Sequence, residues 1–200
     1  MAAETTMAAE TTSPRAAIIH GYRATPDDHW FGWLAERLRG EGVAVDVPAL
    51  PNTDAPRPEE WAATLSSVVG VPDEQTTVVA HSLGCLAVLR HLGSLAGQWR
   101  LGRLVLVAGF VDPLPMLPEL DDFIRAGVSL SGIAEHVGGL TIVRSDDDPL
   151  VPSGLTDRLA DLLGVPAQVQ PSAGHFLADD GVTSLPIVWR SLQQRVTPTN

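Results

Sequence analysis

The chain has 200 residues, 44% of them hydrophobic, which is enough for one domain with a substantial buried core but too short for two comfortable ones. Its 24 acidic residues outnumber the 13 basic ones, and the formal net charge of −11 disfavours nucleic acids and anionic membrane surfaces as partners. The single cysteine, Cys85, excludes an internal disulfide, and we interpret it as a small buried hydrophobic residue.

The N-terminal segment contains a hexapeptide that occurs twice, at residues 1–6 and 7–12. It has neither the basic region nor the apolar region of a signal peptide, and no apolar run approaches the ~20 residues of a membrane span. We therefore expect a cytoplasmic protein with a disordered head over residues 1–14, in which Met7 is an alternative start, followed by one domain over residues 15–197.

A strand and a helix begin this domain. Residues 16–20 form a short, continuous apolar run, which is typical of a strand buried on both faces of a parallel sheet. A helix follows, which Asp27 or Asp28 can cap and which Gly40 or Gly42 ends. Its apolar residues recur at helical spacing: Trp30, Trp33, Leu34 and Leu38.

The next segments repeat the alternation. Residues 43–47 predict a second strand, at the sheet edge because prolines follow it at once. Pro58 stands in the first turn of a second helix, whose apolar residues are Trp61, Leu65 and Val68. A third strand over residues 76–80 then leads through Ser82 into an apolar helical stretch over residues 83–92.

The strand, turn and helix around Ser82 match a nucleophile elbow of the form small-x-Ser-x-Gly. In such an elbow the serine occupies a strained turn, and the residues two before and two after it approach neighbouring backbone closely. Ala80 and Gly84 are small enough for these two positions. Taken alone, a serine in a turn between a strand and a helix is usually the cap of an ordinary helix.

Two further strands, at residues 104–108 and 140–143, flank an insert over residues 109–139 that we interpret as a crossover helix plus a small cap over the carboxyl edge of the sheet. The last predicted elements are a helix that Ser153 caps and Gly164 ends, a weak strand over residues 167–170 and a helix from Ile187 to Val196. Alternating strands and helices predict an α/β fold: a mostly parallel sheet of about six strands with helices on both faces.

Ligands of such sheets bind at the carboxyl ends of the strands, and chemically capable side chains follow four of them. These are the segments 20–22, with His20, Gly21 and Tyr22, then Ser82, the aspartates 146–148, and His175. The chain order of serine, acid and histidine is that of α/β-hydrolases. Each residue has a simpler explanation by itself: the serine as a helix cap, the aspartates as a solvated loop and the histidine as a packed core residue. These separate explanations do not account for the occurrence of all three residue types at successive strand ends.

This set predicts a catalytic triad. A serine hydroxyl needs a neutral imidazole to take its proton, which assigns His175 as base, and a carboxylate must hold that imidazole. We assign Asp148 to this role because Pro149 restricts it to an extended conformation, with Asp147 the next choice and Asp112 a further one. We interpret His81, beside the serine, as structural.

The residues also resemble a known family. His20-Gly21 with the segment 30–34 (Trp-Phe-Gly-Trp-Leu), the elbow, the segment 145–152 and Gly174-His175-Phe176 together resemble the small α/β-hydrolases of the retinoblastoma-binding serine hydrolase and YdeN type. The resemblance covers residues 16 to 196 and implies a three-layer α/β-hydrolase fold with a minimal cap and Ser82, Asp148 and His175 at the catalytic positions. The Leu-x-Cys-x-Glu motif is absent, so we expect no retinoblastoma-type interaction.

The same reasoning assigns the rest of the site. The backbone N–H groups of Leu83 and Tyr22 match the two oxyanion-hole donors of α/β-hydrolases. We assign five residues to the substrate pocket: Gly21, Trp30, Met116, Leu117 and Phe123. No cofactor is expected, and no metal, because His20, His29, His91 and His136 lack close metal-ligand spacing.

We therefore predict a serine hydrolase that cleaves a small ester, thioester or amide through an acyl-enzyme. Two alternatives stay open at this stage. One is a catalytically silent protein that keeps the fold and binds a partner, and the other is an acyltransferase that uses the same serine.

Overall fold

A sheet of six parallel strands forms the centre of the protein, in a computed structural model that describes residues 13–194. The strands are β1 (Arg15–Ile19), β2 (Ala44–Asp46), β3 (Thr76–His81), β4 (Leu101–Val107), β5 (Val137–Ser145) and β6 (Ala167–Gln170). The helices are α1 (Phe31–Gly40), α2 (Pro58–Val68), α3 (Leu83–Ser94), α4 (Asp121–Arg125), α5 (Ile133–His136), α6 (Ser153–Leu163) and α7 (Pro186–Gln193), with 3₁₀ turns at Pro118–Leu120 and Ala178–Asp180. The predicted α/β class is confirmed.

The strand order is β2-β1-β3-β4-β5-β6, and every adjacent pair is parallel. The chain moves outward from β1 to β2, then returns to β3 and proceeds in the opposite direction, so the order reverses between β1 and β3. At this switch point Ile19 of β1 is paired with Ala80 of β3. The crevice outside these two strand ends is where ligands of doubly wound sheets bind. The predicted edge position of β2 is confirmed.

Two apolar layers enclose the sheet, and alternate residues of each strand supply them. In β1, Ala17 and Ile19 pack with α2, α3 and α6, whereas Ala16 and Ile18 pack with α1 and α7. Both layers contain fully buried strand residues, which explains why β1, β3 and β4 contain continuous apolar runs. The sheet is therefore covered on both faces, and its carboxyl edge presents the loops after β1, β3, β5 and β6.

Two predicted helix caps are wrong. The Asp28 carboxylate accepts hydrogen bonds from the backbone N–H (2.6 Å) and hydroxyl (2.9 Å) of Thr25, so it closes the preceding turn and leaves α1 to begin after Trp30. Ser153 is the first residue of α6, and Pro152 takes the cap position. The predicted end of α6 is confirmed, since Gly164 ends it in the left-handed conformation.

The insert differs from its prediction in length and content. Because β4 ends at Val107 and β5 begins at Val137, the connection is residues 108–136 and not 109–139. It holds only a 3₁₀ turn and the short helices α4 and α5, and no long crossover helix. Six of its buried apolar residues lie in the core cluster shared with α2 and α3, namely Phe110, Leu114, Leu120, Phe123, Ile124 and Ile133, whereas Ala108 lies in the layer shared with α1 and α7.

The terminal predictions are only partly covered. The last helix is Pro186–Gln193, shorter than predicted, and Val196 lies outside the described residues. Residues 1–12 of the predicted head also lie outside them, and Ser13 and Pro14 have no regular secondary structure.

Candidate active site

Ser82 occupies a sharp turn between β3 and α3. Its backbone has φ 54° and ψ −126°, a positive φ that is uncommon for a residue with a side chain. Two hydrogen bonds hold the turn. The Ser82 N–H donates to the Val107 carbonyl (2.9 Å), and the Cys85 N–H donates to the Ser82 carbonyl (2.9 Å). A Cβ at Gly84 would overlap the His20 carbonyl oxygen and lie 2.8 Å from that of Ile19. The requirement for a small residue there is confirmed.

Three side chains meet at this turn. Ser82 Oγ lies 2.9 Å from His175 Nε2, and His175 Nδ1 lies 2.8 Å from Asp148 Oδ2. The other carboxylate oxygen of Asp148 accepts the N–H groups of Leu150 and Val151, both at 2.9 Å. The side chains of His175 and Asp148 are only 6% and 2% exposed. With Nδ1–H donating to Asp148, Nε2 is free to accept a proton from the serine hydroxyl.

The other candidate acids have different partners. Asp147 Oδ1 accepts the Ser145 hydroxyl (2.6 Å) and the Gly174 N–H (2.8 Å), and these hydrogen bonds lower the pKa of Asp147. Asp112 pairs with Arg158 Nε at 2.9 Å. Of the three aspartates considered, the structure therefore brings Asp148 to His175.

The loop that carries His175, residues 172–178, is fixed mainly by side chains. Its backbone N–H groups donate as follows: Ser172 to Asp146 (2.8 Å), Ala173 to Ser145 (3.1 Å), Gly174 to Asp147 (2.8 Å), His175 and Leu177 to Asp180 (2.8 and 3.0 Å), and Ala178 to His29 (3.0 Å). Three of its residues have positive φ: Ser172, Gly174 and Phe176. These hydrogen bonds hold the loop in a conformation that the backbones of Ser172 and Phe176, which are not glycine, disfavour.

Two of these supporting residues, Asp180 and His29, were not predicted. Asp180 follows His175 closely in the sequence, in the segment Ala178-Asp179-Asp180, but an acidic residue in a loop is typical of any solvated turn. His29 precedes α1 and reaches the loop across 149 positions of sequence. This contact can be predicted only once the packing of α1 against the sheet is known.

His81, next to the nucleophile candidate, is fully enclosed among aromatic rings. Its Nε2 donates to the His175 carbonyl oxygen at 2.9 Å, and its ring centroid lies 4.9 Å from that of His175 and 6.1 Å from that of Trp30. Burial, reinforced by the neighbouring histidines, lowers its pKa well below the ordinary value. His81 thus supports the His175 loop through the His175 carbonyl, which agrees with its predicted structural role.

The predicted pocket residues fall in different places. Gly21 lies against the elbow, since a Cβ there would be 3.0 Å from Ser82 Cβ and 3.4 Å from the Leu83 nitrogen. Met116 is 65% exposed and Leu117 is partly buried. Trp30 is fully buried between α1 and the sheet, and Phe123 packs edge-on against Trp61 at 5.1 Å.

The assignments of Trp30 and Phe123 to the pocket are therefore wrong. Both are core residues, because Trp30, the residue before α1, packs in the layer between α1 and the sheet, and Phe123 of α4 packs in the layer shared with α2 and α3. Tyr22 is partly buried, and its hydroxyl donates to Glu119 Oε1 at 3.2 Å, which joins the loop after β1 to the 3₁₀ turn of the insert.

Cys85 is buried behind the elbow, and its thiol contacts the Val107 carbonyl at 3.5 Å. Burial raises the pKa of this thiol, so the interpretation of Cys85 as a small hydrophobic residue is confirmed.

Within residues 13–194, no group of three or more His, Cys, Asp or Glu side chains is arranged to hold a metal ion. In the same part of the chain, no helix has the length and apolar character needed to cross a membrane.

Comparison with known proteins places this geometry in context. Residues 16–194 match the family described as serine hydrolase. YdeN of Bacillus subtilis (strain 168), named as a hydrolase, is 42% identical over 172 residues, which are 86% of this chain and 90% of YdeN. The crystal structure of the B. subtilis ydeN gene product has a TM-score of 0.86 at 41% identity, covering 90% of this chain and 97% of that one.

Two more distant structures share the fold. A YdeN-like hydrolase from Pectobacterium atrosepticum has a TM-score of 0.66 at 20% identity, over 90% of this chain and 89% of its own. Est1E from Butyrivibrio proteoclasticus has a TM-score of 0.62 at 15% identity, over 91% of this chain and 89% of its own.

Proposed function

The chain belongs to the serine hydrolase family, and from this premise we propose that it cleaves a small ester, thioester or amide through an acyl-enzyme on Ser82. The observation that carries the proposal is the hydrogen-bonded series from Ser82 Oγ through His175 to Asp148, at 2.9 and 2.8 Å. This series lies beside the switch point between β1 and β3, where ligands of such sheets bind.

Acylation begins when Ser82 Oγ attacks the carbonyl carbon of the substrate and His175 Nε2 takes the hydroxyl proton. Asp148 stabilises the imidazolium that forms and keeps the ring oriented through Nδ1. The tetrahedral intermediate collapses as the bond to the leaving group breaks. His175 returns the proton to the leaving alcohol, thiol or amine, and the acyl group stays on Ser82.

Deacylation repeats these steps with water. The oxygen of a water molecule attacks the acyl carbon while His175 Nε2 takes a proton from that water. The second tetrahedral intermediate then expels the Ser82 oxygen. The proton held by His175 passes to that oxygen, which restores the serine hydroxyl. The products are a carboxylic acid and the free enzyme.

The oxyanion of both intermediates needs donors, and we assign the N–H groups of Leu83 and Tyr22. Leu83 is the first residue of α3, where backbone N–H groups have no partner within the helix and the helix dipole favours negative charge. Tyr22 follows Gly21, where an added Cβ would lie 3.0 Å from Ser82 Cβ and 3.4 Å from the Leu83 nitrogen. Each such donor stabilises the transition state by ~3 kcal/mol.

The short insert supports a small substrate. Only a 3₁₀ turn and two short helices follow β4 before β5 begins, so the cap is minimal. The hydrogen bond between Tyr22 and Glu119 joins the loop after β1 to the 3₁₀ turn of the insert. Met116 and Leu117 precede this contact, and we assign them to the apolar side of the acyl pocket together with Gly21.

A serine-directed fluorophosphonate tests the proposal. We expect the wild type to be labelled on the peptide that contains Ser82, and Ser82→Ala to lose both labelling and hydrolysis of p-nitrophenyl acetate. Ser67→Ala, which alters an exposed serine on α2, is the matched control and should behave as wild type. Labelling or hydrolysis that survives in Ser82→Ala contradicts the proposal.

An added alcohol distinguishes hydrolysis from transfer. Release of free acid at an unchanged rate supports hydrolysis, whereas a new ester formed in preference to the acid indicates acyl transfer by the same serine.

We also propose a cytoplasmic location without nucleic-acid or membrane partners, in keeping with the single cysteine and the net charge of −11. Cell fractionation with an antibody to the chain tests the location.

A further inference from the structure

His20, at the carboxyl end of β1, is fully buried and bonded through both ring nitrogens. Its Nδ1 lies 3.1 Å from the carbonyl oxygen of Gly21, and its Nε2 lies 3.1 Å from the backbone nitrogen of Leu50. The ring also packs edge-on against Trp61 at 6.4 Å. These contacts fix the position of the ring beside the loop that leads to Tyr22.

The partners of His20 permit one protonation state. The Leu50 N–H can only donate, so Nε2 must present its lone pair, and the Gly21 carbonyl can only accept, so Nδ1 must carry the proton. Burial lowers the pKa of His20, which favours this neutral form at pH 7. His20 is therefore a fixed hydrogen-bond donor aimed at the Gly21 carbonyl.

That carbonyl shares a peptide group with the N–H of Tyr22. The peptide group is planar and trans, so its C=O and N–H point in opposite directions, and holding one fixes the other. The Gly21 oxygen also accepts the Ala24 N–H at 3.4 Å, which closes the turn over residues 21–24. The direction of the Tyr22 N–H thus depends on the two donors to the Gly21 oxygen.

Position 21 needs such a restraint. Close approach to Ser82 and Leu83 leaves little room for a Cβ, as a Cβ there would lie 3.0 Å from that of Ser82. Glycine satisfies this requirement, but it also allows its backbone a wider range of conformations than any other residue. An outside donor is therefore needed to select one orientation of the following peptide group.

We infer that His20 is a positioning residue for the reaction, whose Nδ1–H holds the peptide between residues 21 and 22 so that the Tyr22 N–H faces the substrate oxyanion. The inference rests on the proposed function, because it requires an acyl transition state at Ser82. His20 itself does not touch the reacting atoms, and it acts only through the Gly21 carbonyl.

Two substitutions separate its two hydrogen bonds. The side-chain amide of His20→Asn can place a nitrogen near the position of Nδ1 and donate to Gly21, whereas that of His20→Gln reaches toward the position of Nε2 and can accept from Leu50. We expect kcat for p-nitrophenyl acetate to fall by ~10²- to 10³-fold in His20→Gln with KM little changed, the loss typical of an oxyanion donor. His20→Asn should keep kcat within about tenfold of the wild type.

A purely structural role predicts a different pattern. Both variants would then be less stable to urea, but kcat per folded molecule would be equal in the two. Equal kcat values, or a greater loss in His20→Asn than in His20→Gln, overturn the inference. If Ser82→Ala keeps activity, the proposed function fails as well, whereas a Ser82-dependent enzyme with equal His20 variants contradicts the present inference alone.

A measurement on the wild type covers the case in which a variant does not fold. The ¹⁵N NMR shifts of the His20 ring distinguish the two neutral tautomers and the imidazolium. We expect the Nδ1–H tautomer at pH 7, before and after reaction with a fluorophosphonate. The Nε2–H tautomer or the imidazolium in either state contradicts the inference.

Discussion

The Asp148 carboxylate lies 2.8 Å from His175 Nδ1, while the carboxylate of the adjacent Asp147 binds the backbone N–H of Gly174. Two neighbouring acids thus support the same histidine in different ways. Asp148 holds the imidazole ring itself, and Asp147 holds the chain that carries it. This difference leads to a direct comparison of two conservative substitutions.

Asp148→Asn should lower kcat by ~10⁴-fold, because an amide in this position stabilises the wrong tautomer of the histidine and cannot stabilise the imidazolium. Asp147→Asn retains an oxygen that can accept the Gly174 N–H, so its kcat should stay within about tenfold of the wild type. Steady-state hydrolysis of p-nitrophenyl acetate measures both. A larger loss in Asp147→Asn would assign the orienting role to Asp147.

Asp180 should matter through the position of His175. Its Oδ2 accepts the N–H groups of His175 and Leu177, so Asp180→Ala removes both restraints on the loop. We expect kcat to fall by ~10²-fold with little change in KM, since small misplacements of a catalytic group have effects of this size. Asp179→Ala, at the neighbouring exposed aspartate, is the control and should retain wild-type kcat. Equal kcat in the two variants would argue against support by Asp180.

Gly84→Ala should destabilise the fold. The new methyl group would overlap the carbonyl of His20, the residue after β1, and lie 2.8 Å from the carbonyl of Ile19, the last residue of β1. Overpacking of this kind lowers the free energy of unfolding by about 1–3 kcal/mol, which urea denaturation measures. Gly32→Ala in α1 is the matched control, because nothing lies within 4 Å of its new Cβ, and it should gain about 0.5–1 kcal/mol. A neutral Gly84→Ala would contradict the close packing of α3 on β1.

The free energy of unfolding should decrease below pH 6.5. Burial lowers the pKa of His20, His29 and His81, so below that pH the unfolded chain binds protons that the folded protein does not. Stability therefore falls as the pH falls, until the folded pKa values are reached. A fully buried histidine such as His81 contributes up to about 1.4 kcal/mol per pH unit.

Urea denaturation of the wild type and His81→Gln at pH 7.5 and 5.5 tests this pH dependence. The wild type should lose more stability between the two pH values than the variant, in which one of the titrating groups is absent. An equal loss in both proteins would show that His81 does not contribute to the pH dependence.

The approach of Ser82, Asp148 and His175 to one another could be predicted because strand ends and chain order constrain it strongly. Ser82, Asp148 and His175 each follow a recognisable strand, and parallel strands bring their carboxyl ends to one edge. The residues of the pocket were harder to predict. An aromatic residue at helical spacing, such as Trp30, is as compatible with a position in the core as with one in a pocket wall. Only the packing of α1 against the sheet decides between them.

The bounds of β5 could not be predicted for a related reason. The strand begins at Val137-Gly138-Gly139, and glycine disfavours strands in isolation. Pairing of Leu101 with Val137 and of Arg103 with Gly139 overrides that preference. A Cβ at Gly138 would lie 2.9 Å from the Gly102 carbonyl, so this close contact between strands itself requires glycine.

The loop that carries His175 has a consequence for how the protein folds. Its contacts join residues that are far apart in sequence, such as His175 with Ser82 across 93 positions and Ala178 with His29 across 149. Contacts of such separation form after local structure because closing long loops costs chain entropy. During refolding, hydrolysis of p-nitrophenyl acetate should therefore return later than the circular dichroism signal of the helices, and its return would mark the completion of folding.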